Sequence, residues 1–125
     1  MQFDTDVLIW FLRGNKKAST VLESAPQRHL SIITYMELLQ GARDKQETRV
    51  IKAFLSDAAF LTLPLTENIG HRASIYMEEY ALKVDMCIAD ALIAATAVEN
   101  GLTLCSANRK HYKPVNELEL KTFRP

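Results

Sequence analysis

Met86-Cys87-Ile88-Ala89-Asp90-Ala91-Leu92-Ile93-Ala94-Ala95-Thr96-Ala97-Val98 is the stretch on which the reading of this chain turns. It is almost wholly apolar and rich in alanine, and its character extends from Asp85 to Asn100, so that the whole segment reads as one buried helix. Asn100-Gly101 supplies the stop. Leu102 to Cys105 follows as a short apolar strand. A buried helix that feeds directly into a buried strand is half of a crossover unit, and the rest of the chain shows whether the other halves exist.

They do. Before the helix, Thr66 to Leu82 is a long amphipathic helix with Ile69, Ala73, Tyr76 and Tyr80 on one face. Ala59 to Leu63 reads as a strand closed by Pro64, and Gln46 to Asp57 as a helix carrying Val50, Ile51, Phe54 and Leu55. Thr34-Tyr35-Met36-Glu37 opens another helix that Gly41 helps to end, and His29 to Ile33 is a buried strand. Lys16 to Ser24 is a helix stopped before Pro26, Val7 to Leu12 a helix ending near Gly14, and Met1 to Thr5 a short strand. At the far end, Leu118 to Phe123 reads as an edge strand. The expectation is one domain over residues 1–125, a three-layer α/β/α sandwich around a mainly parallel sheet of roughly five strands. Ligands of such sheets bind outside the carboxyl ends of the strands.

Composition agrees with this. The chain has 125 residues, 48% hydrophobic and 24% charged, which suits a globular domain and argues against disorder. No apolar run approaches the ~18 residues of a membrane span, and no basic-then-apolar signal stands at the start, where an acid occupies position 4; the expected location is the cytoplasm. Cys87 and Cys105 form no CxxC and are expected to be reduced thiols, while the scattered His29, His71 and His111 argue against zinc. Fifteen basic and fifteen acidic residues balance, but unevenly along the chain. Arg13, Lys16 and Lys17 cluster early, and Arg109, Lys110, His111 and Lys113 cluster late with no acid among them. They are either solvated loops or a basic rim around an acidic site, of the kind a phosphodiester substrate requires.

Three acids stand out against this background. Asp4 ends the first strand, Glu37 lies in the expected first turn after the second strand, and Asp90 is ringed at helical spacings by residues 86, 87, 89, 93, 94 and 97, all apolar. Burying a lone carboxylate costs several kcal/mol unless a compensating charge lies close by. Each acid also has an ordinary explanation. Asp4 or Asp6 would cap the helix near Val7, Thr34-x-x-Glu37 matches a capping box, and a hydroxyl or amine would satisfy Asp90. Acids at neighbouring strand ends of one parallel sheet converge, however, and an all-oxygen cluster selects a hard cation such as magnesium or manganese.

Four segments carry a resemblance. Asp4-Thr5-Asp6-Val7-Leu8-Ile9, Ser31-Ile32-Ile33-Thr34-Tyr35-Met36-Glu37-Leu38, Asp90-Ala91-Leu92-Ile93-Ala94-Ala95-Thr96-Ala97 and Leu102-Thr103-Leu104-Cys105-Ser106-Ala107-Asn108 are similar, in order, to the motifs of PIN-domain ribonucleases, in particular VapC-like toxins of toxin–antitoxin pairs. The resemblance implies metal-dependent endonucleolytic cleavage of single-stranded regions of RNA. By it, Asp4, Glu37 and Asp90 are catalytic metal ligands for Mg2+ or Mn2+, and Asn108 holds metal through water. Asp6, Thr34 and Ser106 are supporting groups, and Arg13, Arg109 and Lys110 are phosphate contacts. It also implies a homodimer and a small antitoxin whose C-terminal segment fills the active-site groove. In the run Val7-Leu8-Ile9-Trp10-Phe11-Leu12 most side chains are expected in the core, with Trp10 or Phe11 as a partner anchor. Many VapC-like members carry a further acid three residues after the asparagine, where this chain has His111.

Three other readings compete. Asp4-Thr5-Asp6 also resembles the nucleophile loop of haloacid dehalogenase-type phosphatases, but Leu8 stands where that family has Thr or Val, and 125 residues is short for its core. A dinucleotide fold would need a GxGxxG after the first strand, and there is none. The third is an inactive PIN-like module that binds RNA or protein without cutting, for which the missing fourth acid is the best argument.

Overall fold

The computed structural model describes residues 1–125, and it lays five strands side by side in the order β3-β2-β1-β4-β5. In chain order the elements are β1 (Gln2–Phe3), α1 (Thr5–Leu12), α2 (Lys16–Ser24), β2 (Arg28–Ser31), α3 (Ile32–Gln40), α4 (Lys45–Asp57), β3 (Phe60–Leu63), α5 (Glu67–Val84), α6 (Ile88–Glu99), β4 (Leu104–Ser106), α7 (Arg109–Tyr112) and β5 (Leu120–Thr122). Every neighbouring pair is parallel, with Gln2 opposite both His29 and Leu104. The mainly parallel sheet expected from the sequence is therefore parallel throughout.

Side-chain alternation along the strands creates two cores, one on each face of the sheet. Phe3, Leu30 and Cys105 point to the side covered by α1, α2 and α4, where they meet Val7, Leu8, Leu22, Ile51 and Leu55. Leu104 points to the other side and packs with α5 and α6 through Ile69, Tyr76 and Ile93. These faces give the three layers. Each fully buried aliphatic side chain of this kind contributes about 1.5–3 kcal/mol. Ala91, Ala94, Ala95 and Ala97 are all fully buried, so α6 presents a small-residue surface and lies close to its neighbours. Aromatic pairs add to the first core, Phe11 stacking on Phe54 at 4.7 Å and Phe3 meeting Phe60 edge-on at 5.8 Å. On the opposite side Arg72 bridges Glu99 and Glu117, both at 2.6 Å, and so ties α5 to α6 and to the segment before β5.

Several boundaries differ from the sequence expectation, and the differences bear on the site. The second helix-bearing motif starts earlier than Thr34: Ser31 is the N-cap of α3, its hydroxyl accepting from Ile33 N at 3.0 Å. Ile32 and Ile33, read as strand because they are β-branched, are helical here. Thr34 therefore caps nothing and is fully buried, and Glu37 sits in the second turn rather than the first. The Thr34-x-x-Glu37 capping box does not form. The helix expected from Asp85 begins only at Ile88, because Asp85 takes the left-handed conformation (φ 57°) and turns the chain between α5 and α6. The strand expected over 102–105 occupies 104–106, and the one-turn helix α7 was not anticipated. No helix is long and apolar enough to cross a membrane.

Candidate active site

The strand order puts β2, β1 and β4 next to one another, so the residues that leave their carboxyl ends share one edge of the sheet. Asp4 follows β1 directly and is the N-cap of α1, accepting from Thr5 N at 2.8 Å. Ser106 closes β4, and its hydroxyl donates to Asp4 Oδ2 at 2.7 Å. The same hydroxyl oxygen accepts from the backbone N–H of Asn108 at 2.9 Å. The Asn108 amide reaches Asp90 Oδ1 at 3.4 Å. On the other side of Asp4, the Thr5 hydroxyl donates to Glu37 Oε1 at 2.6 Å and lies 3.1 Å from the Thr34 hydroxyl. One continuous chain of contacts thus runs Glu37–Thr5–Asp4–Ser106–Asn108–Asp90. Asp6 attaches to it through Ala107 N at 3.1 Å and Ser106 Oγ at 3.4 Å.

The sequence-derived acids and their supporting residues are thereby brought together, although the pieces come from four separate segments. Because α6 begins at Ile88 rather than Asp85, Asp90 falls in its first turn, and its Oδ2 accepts from Cys87 N at 3.4 Å and from the Cys87 thiol at 3.1 Å. Three contributors were not assigned a role from the sequence. Thr5 links Asp4 to Glu37, the buried Tyr112 hydroxyl donates to Asp90 Oδ1 at 3.3 Å, and His111 Nδ1 stands 2.9 Å from Asp90 Oδ2. The signal for the last two was the spacing Asn108-x-x-His111-Tyr112: a cap residue, then one helical turn that returns both side chains to the same end.

Concentrating acids in this way has an electrostatic cost. Burial pushes the Asp4 carboxyl up to about 7, with the neighbouring Asp6 charge adding to it and Asp90 contributing further; the bonds from Ser106 and Thr5 pull the other way. Asp6 is also raised, chiefly by burial and then by the charge of Asp90, against bonds from Ala107, Val7 and Ser106. The Tyr112 hydroxyl is raised by burial and by Asp4, Asp90 and Asp6. These carboxylates therefore disfavour one another's charge. Asp6 Oδ1 is buried with no hydrogen-bond partner. The raised Asp4 and Asp6 carboxyls, with an orphaned oxygen on Asp6, are chemically suited to a hard divalent cation beside them, which would offset the repulsion. No group of three or more His, Cys, Asp or Glu side chains is arranged, as it stands, to hold an ion, because each carboxylate is turned onto an internal donor. Asp4, Glu37 and Asp90 are the groups that would hold it after side-chain rotation.

The candidate phosphate contacts fall on two separate surfaces. Arg109 and Lys110 line an open hollow of about 500 Å3 together with Lys113 and Pro114, next in sequence to Asn108. Arg13 lies over the Trp10 ring at 5.7 Å and lines a different groove of about 640 Å3, which it shares with Glu37, Ile9, Leu12 and Val50. The two basic clusters do not join into a single rim. Trp10 and Phe11, one or other of which was expected as a partner anchor, are half-buried and pack against the core; the exposed members of that run are Ile9 and Leu12, at 37% and 38%.

A parallel α/β sandwich with carboxylates gathered at the carboxyl ends of its central strands is the class of protein that the fold and site define. Comparison with known proteins makes this specific. The PIN domain family model matches residues 1–116. Ribonuclease VapC10 of Mycobacterium tuberculosis is 33% identical over 120 residues, covering 93% of this chain and 88% of that protein. Ribonuclease VapC1 of Rickettsia felis is 33% identical over 125 residues, covering 95% and 92%. Among solved structures, a toxin–antitoxin complex from Klebsiella pneumoniae contains a chain that superposes with a TM-score of 0.82 at 30% identity, covering 97% of this chain and 95% of that one. The chain belongs to the PIN domain family. The haloacid dehalogenase and dinucleotide-binding readings end with that match.

Proposed function

We propose that this protein is a divalent-metal-dependent endoribonuclease, the toxin component of a toxin–antitoxin pair, which cleaves single-stranded regions of RNA in the cytoplasm. The observation that carries the proposal is the single chain of contacts linking Glu37, Asp4, Ser106, Asn108 and Asp90 at the carboxyl edge of the sheet. The relatives named ribonuclease match nearly its whole length.

In this reading Asp4, Glu37 and Asp90 hold Mg2+ or Mn2+, and Asn108 supports the ion through water. Such an ion, when bound, lowers the pKa of a water and stabilises charge on the phosphate during in-line displacement. The chain's own residues prepare the place. Ser106 fixes one oxygen of Asp4 and leaves the other on the Thr5 N–H, while Thr5 turns Glu37 toward the same edge. Asp6 and the buried Thr34 sit behind these groups and restrict their movement. Arg109 and Lys110 meet RNA phosphates beside the site, and Arg13 does so from the groove of Glu37.

The partners follow the same reading. The groove lined by Ile9, Leu12, Leu38 and Val50 opens beside Glu37, so a segment of an antitoxin lying there would block the site. A homodimer is the proposed assembly. The competing reading, an inactive module that binds without cutting, draws on His111, which occupies the place of an acid found in many relatives.

The test is cleavage of a mixed RNA panel with Mn2+, Mg2+ or chelator, comparing wild type with Asp90→Asn. Cleavage that requires metal and disappears in a folded Asp90→Asn supports the nuclease. Metal binding and cleavage both absent from folded wild type support the inactive module. Cleavage by both proteins removes Asp90 from the mechanism.

A further inference from the structure

The Asp90 carboxylate is held differently at its two oxygens. Oδ2 faces donors that solvent reaches: the backbone N–H and thiol of the exposed Cys87, at 3.4 and 3.1 Å, and His111 Nδ1 at 2.9 Å. Oδ1 faces the Tyr112 hydroxyl at 3.3 Å and the Asn108 side-chain nitrogen at 3.4 Å. That nitrogen lies closer to His111 Nδ1, at 2.9 Å, so its hold on Asp90 is shared. Tyr112 is another matter. Its ring is fully buried in the core under α5 and α6, with Leu104, Ile93 and Val115, so packing fixes where the hydroxyl stands.

The core needs only the ring, which phenylalanine would supply. A buried phenol also needs an acceptor, and Asp90 Oδ1 is the one this hydroxyl has. Any rotation of Asp90 that withdraws Oδ1 strands the O–H where water cannot replace the partner, and is opposed for that reason. A rotation that releases Oδ2 leaves its donors within reach of water. The 3.3 Å separation exceeds the ~2.5–2.7 Å of a fully formed hydroxyl–carboxylate bond, so the carboxylate has room to turn about Oδ1 and close on the phenol. We infer that Tyr112 is a positioning residue for Asp90: its hydroxyl keeps Oδ1 in place while Oδ2 leaves its donors, and so selects the rotation by which Asp90 turns to a divalent ion. The inference rests on the metal-centre reading above and adds to it the group that aims one of the three carboxylates.

Tyr112→Phe deletes that oxygen alone and keeps the ring. With Mn2+ as the only added ion, the EPR signal of free Mn2+ in solutions of the full chain gives the affinity without reference to cleavage. The dissociation constant is expected to rise roughly tenfold in Tyr112→Phe, the lower end of what losing a partner of a metal ligand produces. Saturating Mn2+ then restores RNA cleavage, which it would not do for a damaged fold. Tyr76→Phe, which removes a hydroxyl bonded to Glu117, leaves the affinity unchanged. His111→Ala, which removes a donor from Oδ2, does not weaken it. Unchanged affinity in folded Tyr112→Phe, or an equal loss in Tyr76→Phe or His111→Ala, overturns the inference and leaves the carboxylate centre standing. No Mn2+ binding by folded wild type overturns both.

Discussion

Ser106 and Asp4 lie 102 positions apart in the chain, yet the Ser106 hydroxyl donates to Asp4 Oδ2 at 2.7 Å with both residues buried. This bond is the joint between the two halves of the site, because the same oxygen also receives the Asn108 N–H. Ser106→Ala removes a donor to a carboxylate, worth about 1.5–3 kcal/mol. The expected result is a loss of roughly ten- to a hundredfold in kcat/KM with far-UV circular dichroism unchanged. Since Ser106 holds the Asp4 carboxyl down, the midpoint of the pH–rate profile should move to higher pH in the variant. An unshifted midpoint would detach Ser106 from Asp4.

Asp4 itself makes stability depend on pH in a definite direction. Its folded pKa is raised to about 7 from 3.8, so between those values the folded state holds more protons than the unfolded state. Its contribution is fully present below the unfolded value and is lost as pH rises through about 7. Asp4→Asn, which carries no charge, should gain thermal stability over wild type at pH 8 in chelator, and the gain should vanish near pH 4. Added Mn2+ should stabilise wild type and not the variant.

Ala59 takes a left-handed backbone (φ 56°) between α4 and β3, far from the acids. A side chain there costs roughly 1 kcal/mol that glycine avoids. Ala59→Gly is expected to raise the melting temperature by a few degrees, about what a gain below 1 kcal/mol produces in a domain of this size. RNA cleavage should be unaltered.

The basic hollow of Arg109, Lys110 and Lys113 carries a prediction in salt rather than in sequence. Replacing Arg109 and Lys113 with glutamine should weaken binding of unrelated single-stranded RNAs alike. The slope of log affinity against log salt should shrink by about 0.7 for each phosphate that is no longer neutralised. An unchanged slope would assign this surface to something other than RNA.

Ile9 and Leu12 give the separate test of the inhibitory groove. Leu12→Glu should abolish inhibition by a co-expressed antitoxin while the free protein still cuts RNA at its normal rate. Loss of both would mean that the substitution damages the fold.

Much of this arrangement was legible in the sequence, for identifiable reasons. The apolar helix around Asp90 and the glycine stops are strong local signals, and Gly14 and Gly101 do adopt positive φ (83° and 63°) at helix ends. The order of elements then dictated a parallel sheet. What failed was local competition between rules. Ile32 and Ile33 favour strands by shape, but Ser31 offers a cap oxygen and the helix begins there, which moved Glu37 by a turn. The four-residue α7 is too short for any periodicity to reveal, and with it went the placement of His111 and Tyr112 against Asp90. Thr5 escaped notice because its role depends on β1 and β2 being neighbours, which no property of Thr5 discloses.

The central strand is made from residues 2–3 and is flanked on one side by β4, near the other end of the sequence. A ribosome that has added Asp4 must add about a hundred more residues before Ser106 and Asn108 exist to complete the cluster. The unfinished chain, still attached to its own message and to the ribosomal RNA around it, carries its acids without the Ser106 hydroxyl that fixes Asp4. The separation of these residues along the sequence thus delays the hazard until the segment carrying Ser106 and Asn108 has been made.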